Sequence, residues 1–237
     1  MGTVTTEIRG AVAVVTFDNA ERMNAIDAGV AQGLAAAARA LKKRKDIGAM
    51  VLRGAGERSF SAGVDLKFVE TFPKRAQGFA VVEKGVEAFW SDMQAMPFPT
   101  VAMLYANCYG GGVQLAASTD FRFGDGALRL CVPAVKNRLY YPMTALERLF
   151  AIVDEGRTRR LMLAGETLAA ATLREWGFLD EVFPAADLER ETLAFAAKLA
   201  EQPRDVVAVY QDIFRALRKG DGRRARELRL KAKGKAK

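Results

Sequence analysis

The sequence has no histidine among its 237 residues. That absence excludes a Ser-His-Asp triad, histidine-ligated zinc or haem, and any imidazole acid–base group. Proton chemistry must fall to Asp, Glu, Lys, Tyr, Cys or water. Cysteine is nearly missing as well: only Cys108 and Cys131 occur, and not as a C-x-x-C pair. Two such residues make no disulfide framework, which fits a reducing cytosol. No apolar run approaches the roughly 18 residues of a membrane span. The opening MGTVTTEIRG has no charged region leading into an apolar one, so no signal peptide is expected and the chain is placed in the cytoplasm.

Charge is present but unevenly spread. Lys+Arg number 36 and Asp+Glu 28, a net charge of +8, and ten of the basic but only two of the acidic residues lie in 218–237; the remainder balances at 26 of each. A neutral body with a basic end does not read as a nucleic-acid-binding domain. Half of the residues are apolar and 27% are charged, the composition of an ordinary globular chain with one sizeable core.

Two apolar β-type runs, Val4–Ile8 and Ala11–Phe17, flank Arg9-Gly10 and read as a hairpin. Asp27 then caps an Ala-rich helical run that ends in the cations Lys42–Lys45, where the helix dipole favours them. Ile47–Leu52 is a short buried-type strand. Apolar residues from Phe79 to Met96 fall at helical spacing until Pro97 and Pro99. Thr100–Ala106 is a further strand, and Phe121–Phe123 with Leu128–Val132 reads as a strand pair about Gly124-Asp125-Gly126. Beyond Pro142 the pattern turns helical, with helices expected over Thr144–Val153, Glu155–Leu163, Thr167–Trp176, Asp187–Glu201 and Arg204–Lys219. Strands alternating with helices in the first part imply crossovers and a largely parallel sheet.

Two glycine-rich turns follow strands: Ser59-Phe60-Ser61-Ala62-Gly63-Val64-Asp65-Leu66 and Tyr109-Gly110-Gly111-Gly112-Val113-Gln114. Small residues let backbone approach a ligand, and two such turns on neighbouring strands aim N–H donors at one point, as an oxyanion hole requires. The segment from Gly54 to Ser59 begins like a dinucleotide fingerprint but has Ser in place of its last glycine, and no phosphate-binding G-x-x-x-x-G-K-[ST] loop occurs. Cys108 and Cys131 read as small buried residues, not nucleophiles.

These motifs, taken with Met23-Asn24-Ala25-Ile26, Thr119-Asp120-Phe121-Arg122-Phe123, Pro133, Leu163–Glu166 and Gly177–Val182, resemble the enoyl-CoA hydratase/isomerase (crotonase) superfamily from about Val12 to Leu217. The resemblance implies an α/β fold, a spiral of ββα units with a C-terminal helical region, and a coenzyme A thioester as substrate, with no permanently bound cofactor and no metal. It divides the chain into a core with the acyl-CoA site (1–183), a helical trimerisation region (184–220) and a basic tail expected to be mobile (221–237). Homotrimers or dimers of trimers are implied, without membrane or nucleic acid as partner. The N–H groups of Val64 and Gly111 would bind the thioester oxygen, and Arg22, Met23, Ala25, Ala62, Asp65, Leu66, Gly110, Pro133 and Leu139 would line the site, with Lys67 near the phosphates.

The departures from that pattern bear on the reaction. Hydratases of the family carry glutamates where this chain has Gln114 and Ala134. Hydration needs a base for the water and an acid for the carbon, and an amide supplies neither. Tyr140 stands where decarboxylase-like members carry a tyrosine, so enolate chemistry of that kind is favoured, with hydrolysis and isomerisation behind it. The alternative is a non-catalytic acyl-CoA binder or assembly subunit of the same fold.

Overall fold

The computed structural model describes residues 1–235. Its opening hairpin pairs β1 (Thr3–Arg9) antiparallel with β2 (Val12–Asp18), turning at Gly10 with φ 62°. From β2 the sheet runs parallel through β3 (Ala49–Gly54), β4 (Thr100–Leu104), β6 (Phe121–Asp125) and β9 (Glu181–Phe183). β2, β3 and β4 are covered on both faces, which is why they read as unbroken apolar runs. Alternation then sorts their side chains. Ala13, Val15, Phe17, Met50 and Leu52 join the larger core with α1 (Ala28–Leu41) and α3 (Arg75–Gln94). Val12, Val14, Val51 and Val101 join a second core under α7 (Ala185–Ala200).

A second, smaller sheet orders β5 (Asn107–Tyr109), β7 (Arg129–Cys131) and β8 (Leu168–Ala169). It corrects the expected strand pair about Gly124–Gly126: β6 and β7 belong to different sheets. The turn between them carries the chain from one sheet to the other, and a turn sequence alone does not tell a hairpin from such a crossing. The helix expected from Thr167 is likewise shortened to α6 (Ala170–Glu175), because Leu168 and Ala169 pair with β7 first. The helical stretch before it is α5 (Met143–Arg159), running into a π-helical turn over Arg160–Ala164. As the sequence predicts, α5 breaks between Val153 and Glu155: Asp154 has φ 73°, and its carboxylate accepts from Arg157 N at 2.9 Å, restarting the helix.

The basic tail carries a further helix, α9 (Gly222–Lys235), packed against α8 (Arg204–Arg218). Asp221 starts it by accepting from Arg224 N at 2.9 Å. Ala225, Leu228 and Ala232, at helical spacing, are its less exposed positions. The high Lys and Arg content hides that short apolar stripe, while costing little helix propensity. Residues 236–237 of the predicted tail lie outside the described residues.

Candidate active site

The first glycine-rich turn is fixed by backbone on both sides. Phe60 N donates to Tyr105 O at 3.1 Å and Ser61 N to Asn107 O at 3.1 Å, while Tyr109 N donates back to Ser61 O at 2.8 Å. On the other side Ile26 N donates to Gly63 O at 2.7 Å and Asp65 N to Ile26 O at 2.9 Å. The Met23-Asn24 motif explains itself here. Both residues adopt left-handed backbone, with φ 51° and 54°, and the buried Asn24 amide donates to Ala55 O at 2.9 Å and Ser59 O at 2.7 Å. An asparagine tolerates that backbone and also ties the two loops together. Between these bonds Val64 N is left without a partner among the described residues.

The second turn opens α4 (Gly111–Ala117), whose first N–H, on Gly111, has no intrahelical acceptor. Gly63, at φ 89°, sits so close that a methyl group there would lie 2.8 Å from Tyr109 O and 3.2 Å from Gly111 N. A methyl group at Gly111 would lie 3.5 Å from Val64 N. Two N–H groups without partners among the described residues therefore lie within a few ångströms of each other, on turns hydrogen-bonded to the neighbouring strands. This is the geometry that stabilises negative charge developing on a carbonyl oxygen.

Beside them runs a cavity of about 550 Å³, lined by Ile26, Val64, Gly111, Gln114, Leu139 and Tyr140, and on its far wall by Phe79, Val82, Glu83 and Val86 of α3. Of the residues named from the sequence it brings together Val64, Gly111, Gln114, Leu139 and Tyr140. Arg22, Met23, Ala25, Ala62, Asp65, Leu66, Gly110 and Pro133 do not line it. Most of these build the adjoining loops: Arg22 pairs with Asp65 at 2.7 Å, and Asp65 caps α2 (Leu66–Val69) by accepting from Phe68 N at 3.1 Å. Pro133 instead lies against Gly165, and Lys67 is exposed. Ala134 is buried in the main core, whereas Gln114 lines the cavity.

Tyr140 touches the cavity only at its rim, with 99% of its surface exposed. The tyrosine that goes inward is Tyr141. A methyl group at Gly110 would lie 3.4 Å from its hydroxyl, and burial pushes that phenol well above its usual pKa. Sequence reasoning missed Tyr141 because two adjacent tyrosines carry no signal of which one turns in. It also missed Glu83, the carboxyl that α3 brings to this cavity, and Arg75 and Arg138, which line it as well. Partial desolvation first, and then the like charge of Glu87 one turn on, raise the Glu83 pKa above its ordinary value. The period-3.6 pattern located α3 but read its apolar side as wall. Burial also pushes the Cys108 thiol far up, as befits an inert core residue. No metal-binding cluster of three Cys, Asp or Glu side chains occurs among the described residues, and no described helix is long and apolar enough to cross a membrane.

Comparison with known proteins identifies the family and the fold. The sequence profile of the enoyl-CoA hydratase/isomerase family matches residues 7–236. A mevalonyl-coenzyme A hydratase of Beauveria bassiana is 31% identical over 207 residues, covering 84% of this chain and 73% of the relative. A Dictyostelium discoideum protein described as "Probable enoyl-CoA hydratase, mitochondrial" is 26% identical over 216 residues, covering 90% of this chain and 76% of the relative. Among solved structures, an enoyl-CoA hydratase from Bacillus anthracis superposes with a TM-score of 0.91 at 19% identity, covering 98% of this chain and 90% of that one. The two-sheet α/β architecture with its C-terminal helices α7–α9 is thus the crotonase fold, and the chain belongs to the enoyl-CoA hydratase/isomerase family.

Proposed function

We propose that this chain is an acyl-CoA enolate enzyme in which Val64 and Gly111 hold the thioester oxygen and Glu83 moves the proton. The observation that carries the reading is the convergence of those two unpartnered N–H groups on a cavity whose opposite wall presents one carboxyl. One carboxyl suits double-bond migration. Glu83 takes a proton from the carbon between the thioester and a 3,4 double bond, and the electron pair moves onto the thioester oxygen between the two N–H groups. The neutral Glu83 acid then returns its proton to the fourth carbon, leaving the conjugated 2-enoyl thioester. Hydration needs a second proton-transfer group, and Gln114 at the family's glutamate position cannot be one.

Decarboxylation of a malonyl-type thioester is the second reading, supported by Tyr141 inside the cavity. The bond to the leaving carboxylate gives its electrons to the same enolate, and the Tyr141 hydroxyl protonates the carbon. A side-by-side assay of 3-hexenoyl-CoA, crotonyl-CoA with water, and a 2-alkylmalonyl-CoA separates the readings. Isomerisation lost in Glu83→Gln supports the first, and carbon dioxide release lost in Tyr141→Phe supports the second. Crotonyl-CoA hydration at the rate of an ordinary hydratase would falsify both. For assembly we propose the homotrimer that the family resemblance implies, with its contact on α8, where Val206, Tyr210, Phe214 and Leu217 form a half-exposed apolar stripe. Light scattering of a Tyr210→Glu, Phe214→Glu variant should then give a monomer.

A further inference from the structure

Two arginines are almost wholly buried, and the fold treats them differently. Arg122, 5% exposed, satisfies every nitrogen: Nε donates to Phe178 O at 2.7 Å, Nη1 to Thr119 O at 2.7 Å and Nη2 to Asp120 O at 3.2 Å, with the Asp180 carboxylate at 3.6 Å. Arg148, 7% exposed, makes one hydrogen bond, from Nη2 to Ser118 O at 2.6 Å. Its Nε is buried with no acceptor, and among the described residues no carboxylate forms an ion pair with it. The Trp90 ring lies 5.6 Å from its guanidinium. Asp120 is felt at Arg148 only at longer range, and its Oδ2 already accepts from Thr100 N and Oγ1 at 2.9 Å and from Gln211 at 3.2 Å. Desolvation, aided by Arg218, brings the Arg148 guanidinium down to about 10. A buried cation with an orphaned donor is costly, so its place in the fold matters.

That place is the inner end of the acyl cavity. Arg148 lines a small chamber of about 30 Å³ with Phe89, Trp90, Ala117 and Leu149. The chamber shares Glu83, Val86, Gln114, Tyr141 and Pro142 with the larger cavity. Glu83 and Glu87 also line the chamber, and among the described residues neither forms an ion pair with Arg148. The two spaces run along α4, from Gly111 at the oxyanion donors to Ala117, and Ser118 holds Arg148 just beyond. Seven residues of helix at about 1.5 Å each put about 10 Å between the two ends.

We propose that Arg148 binds a carboxylate at the far end of the acyl chain, so that the substrate class is a coenzyme A monothioester of a dicarboxylic acid about six to eight carbons long. This deepens the acyl-CoA reading above and rests on it. The apolar walls take the methylenes, the small chamber admits one terminal group, and Nε–H and an Nη–H donate side by side to its two oxygens. A chain ending in methyl reaches the same chamber and leaves the cation unpaired.

Calorimetric titration of the full-length protein with saturated, unreactive thioesters tests this without any turnover: adipyl- and suberyl-CoA against hexanoyl-, octanoyl- and 6-hydroxyhexanoyl-CoA. The dicarboxylic esters should bind about 10- to 100-fold more tightly than methyl-ended esters of equal length, the range expected for hydrogen bonds to a charged group. Arg148→Met should erase that difference while leaving hexanoyl-CoA affinity unchanged, and Arg148→Lys should retain part of it. Equal affinity for adipyl- and hexanoyl-CoA, or preference for the hydroxyl end, overturns the inference alone. Failure of every thioester to bind overturns the acyl-CoA reading with it. Because the ligand comparison uses the wild-type protein, it stands even if the Met variant fails to fold.

Discussion

The two walls of the cavity are made of different material. On the side of Val64 and Gly111 the working groups are backbone N–H, placed by two glycine turns that hydrogen-bond to each other and to the strands behind them. On the side of α3 and α5 the polar groups are side chains: Glu83 and Arg148 stand on those helices, and Tyr141 on the segment just before α5. Backbone groups cannot be exchanged by substitution, so this wall fits any reaction that loads negative charge on a thioester oxygen. Side chains can be exchanged one at a time without disturbing the fold. On the proposed reading, the first wall sets the intermediate, and the second sets which proton moves and which acyl group fits.

Replacing the helix-borne carboxyl tests the division most severely. Glu83→Gln should lower kcat by about 10²–10⁴, the usual worth of a general acid–base group, with Kd for saturated thioesters unchanged. In the wild type, activity should be lost as pH falls through a point above the ordinary carboxylate pKa, and Glu87→Gln should move that point down by removing the like charge. The stability sign is opposite to that of a paired carboxylate. A carboxyl with a raised folded-state pKa stabilises at low pH, and that contribution is lost as pH rises through the folded-state value, so Glu83→Gln should raise Tm at neutral pH. A variant with unchanged turnover would remove Glu83 from the chemistry.

Disturbing the backbone wall comes next. Gly63→Ala places a methyl group 2.8 Å from Tyr109 O in left-handed backbone and should pull Val64 N away from Gly111 N. Loss of one such donor corresponds to about 10²–10³ in kcat, read by steady-state kinetics beside an unchanged circular dichroism spectrum. The support behind that wall is apolar. Phe60 is fully buried and meets Phe17 edge to face, ring centroids 5.2 Å apart. Phe60→Ala should cost about 3–5 kcal/mol in urea unfolding. Tyr140→Phe should change least: the exposed hydroxyl should leave kcat within about twofold, well short of a general acid's 10²–10⁴.

The backbone wall was legible in the sequence and most of the side-chain wall was not. Glycine and asparagine at Gly63, Gly111 and Asn24 are there because of left-handed backbone or close approach, needs that other residue types meet poorly, so the letters carry the geometry. Glu83 is one of several charged residues on α3, and only the packing of that helix says which one borders the cavity, where Glu83 stays solvent-exposed. Tyr140 and Tyr141 are equivalent as letters, and the turn after Leu139 sends one out and one in. Arg148 sits among the other charges of α5 and was not singled out, since burial without a partner is a property of place.

By itself the sequence determined what depends on local rules: the absence of imidazole chemistry, the apolar strand runs of a parallel sheet, the break of α5 at Asp154, and the two glycine-rich turns that bring Val64 N close to Gly111. Each follows from residue type, periodicity or backbone freedom within a few positions. Tertiary structure decided the rest. It sent β6 and β7 to different sheets, laid the basic tail beside α8 as a helix, turned Tyr141 inward, and brought Glu83 of α3 and Arg148 of α5, residues 65 positions apart, to one cavity. Those outcomes depend on which surfaces meet, and burial and charge at a meeting point belong to the folded arrangement and not to any one stretch of chain.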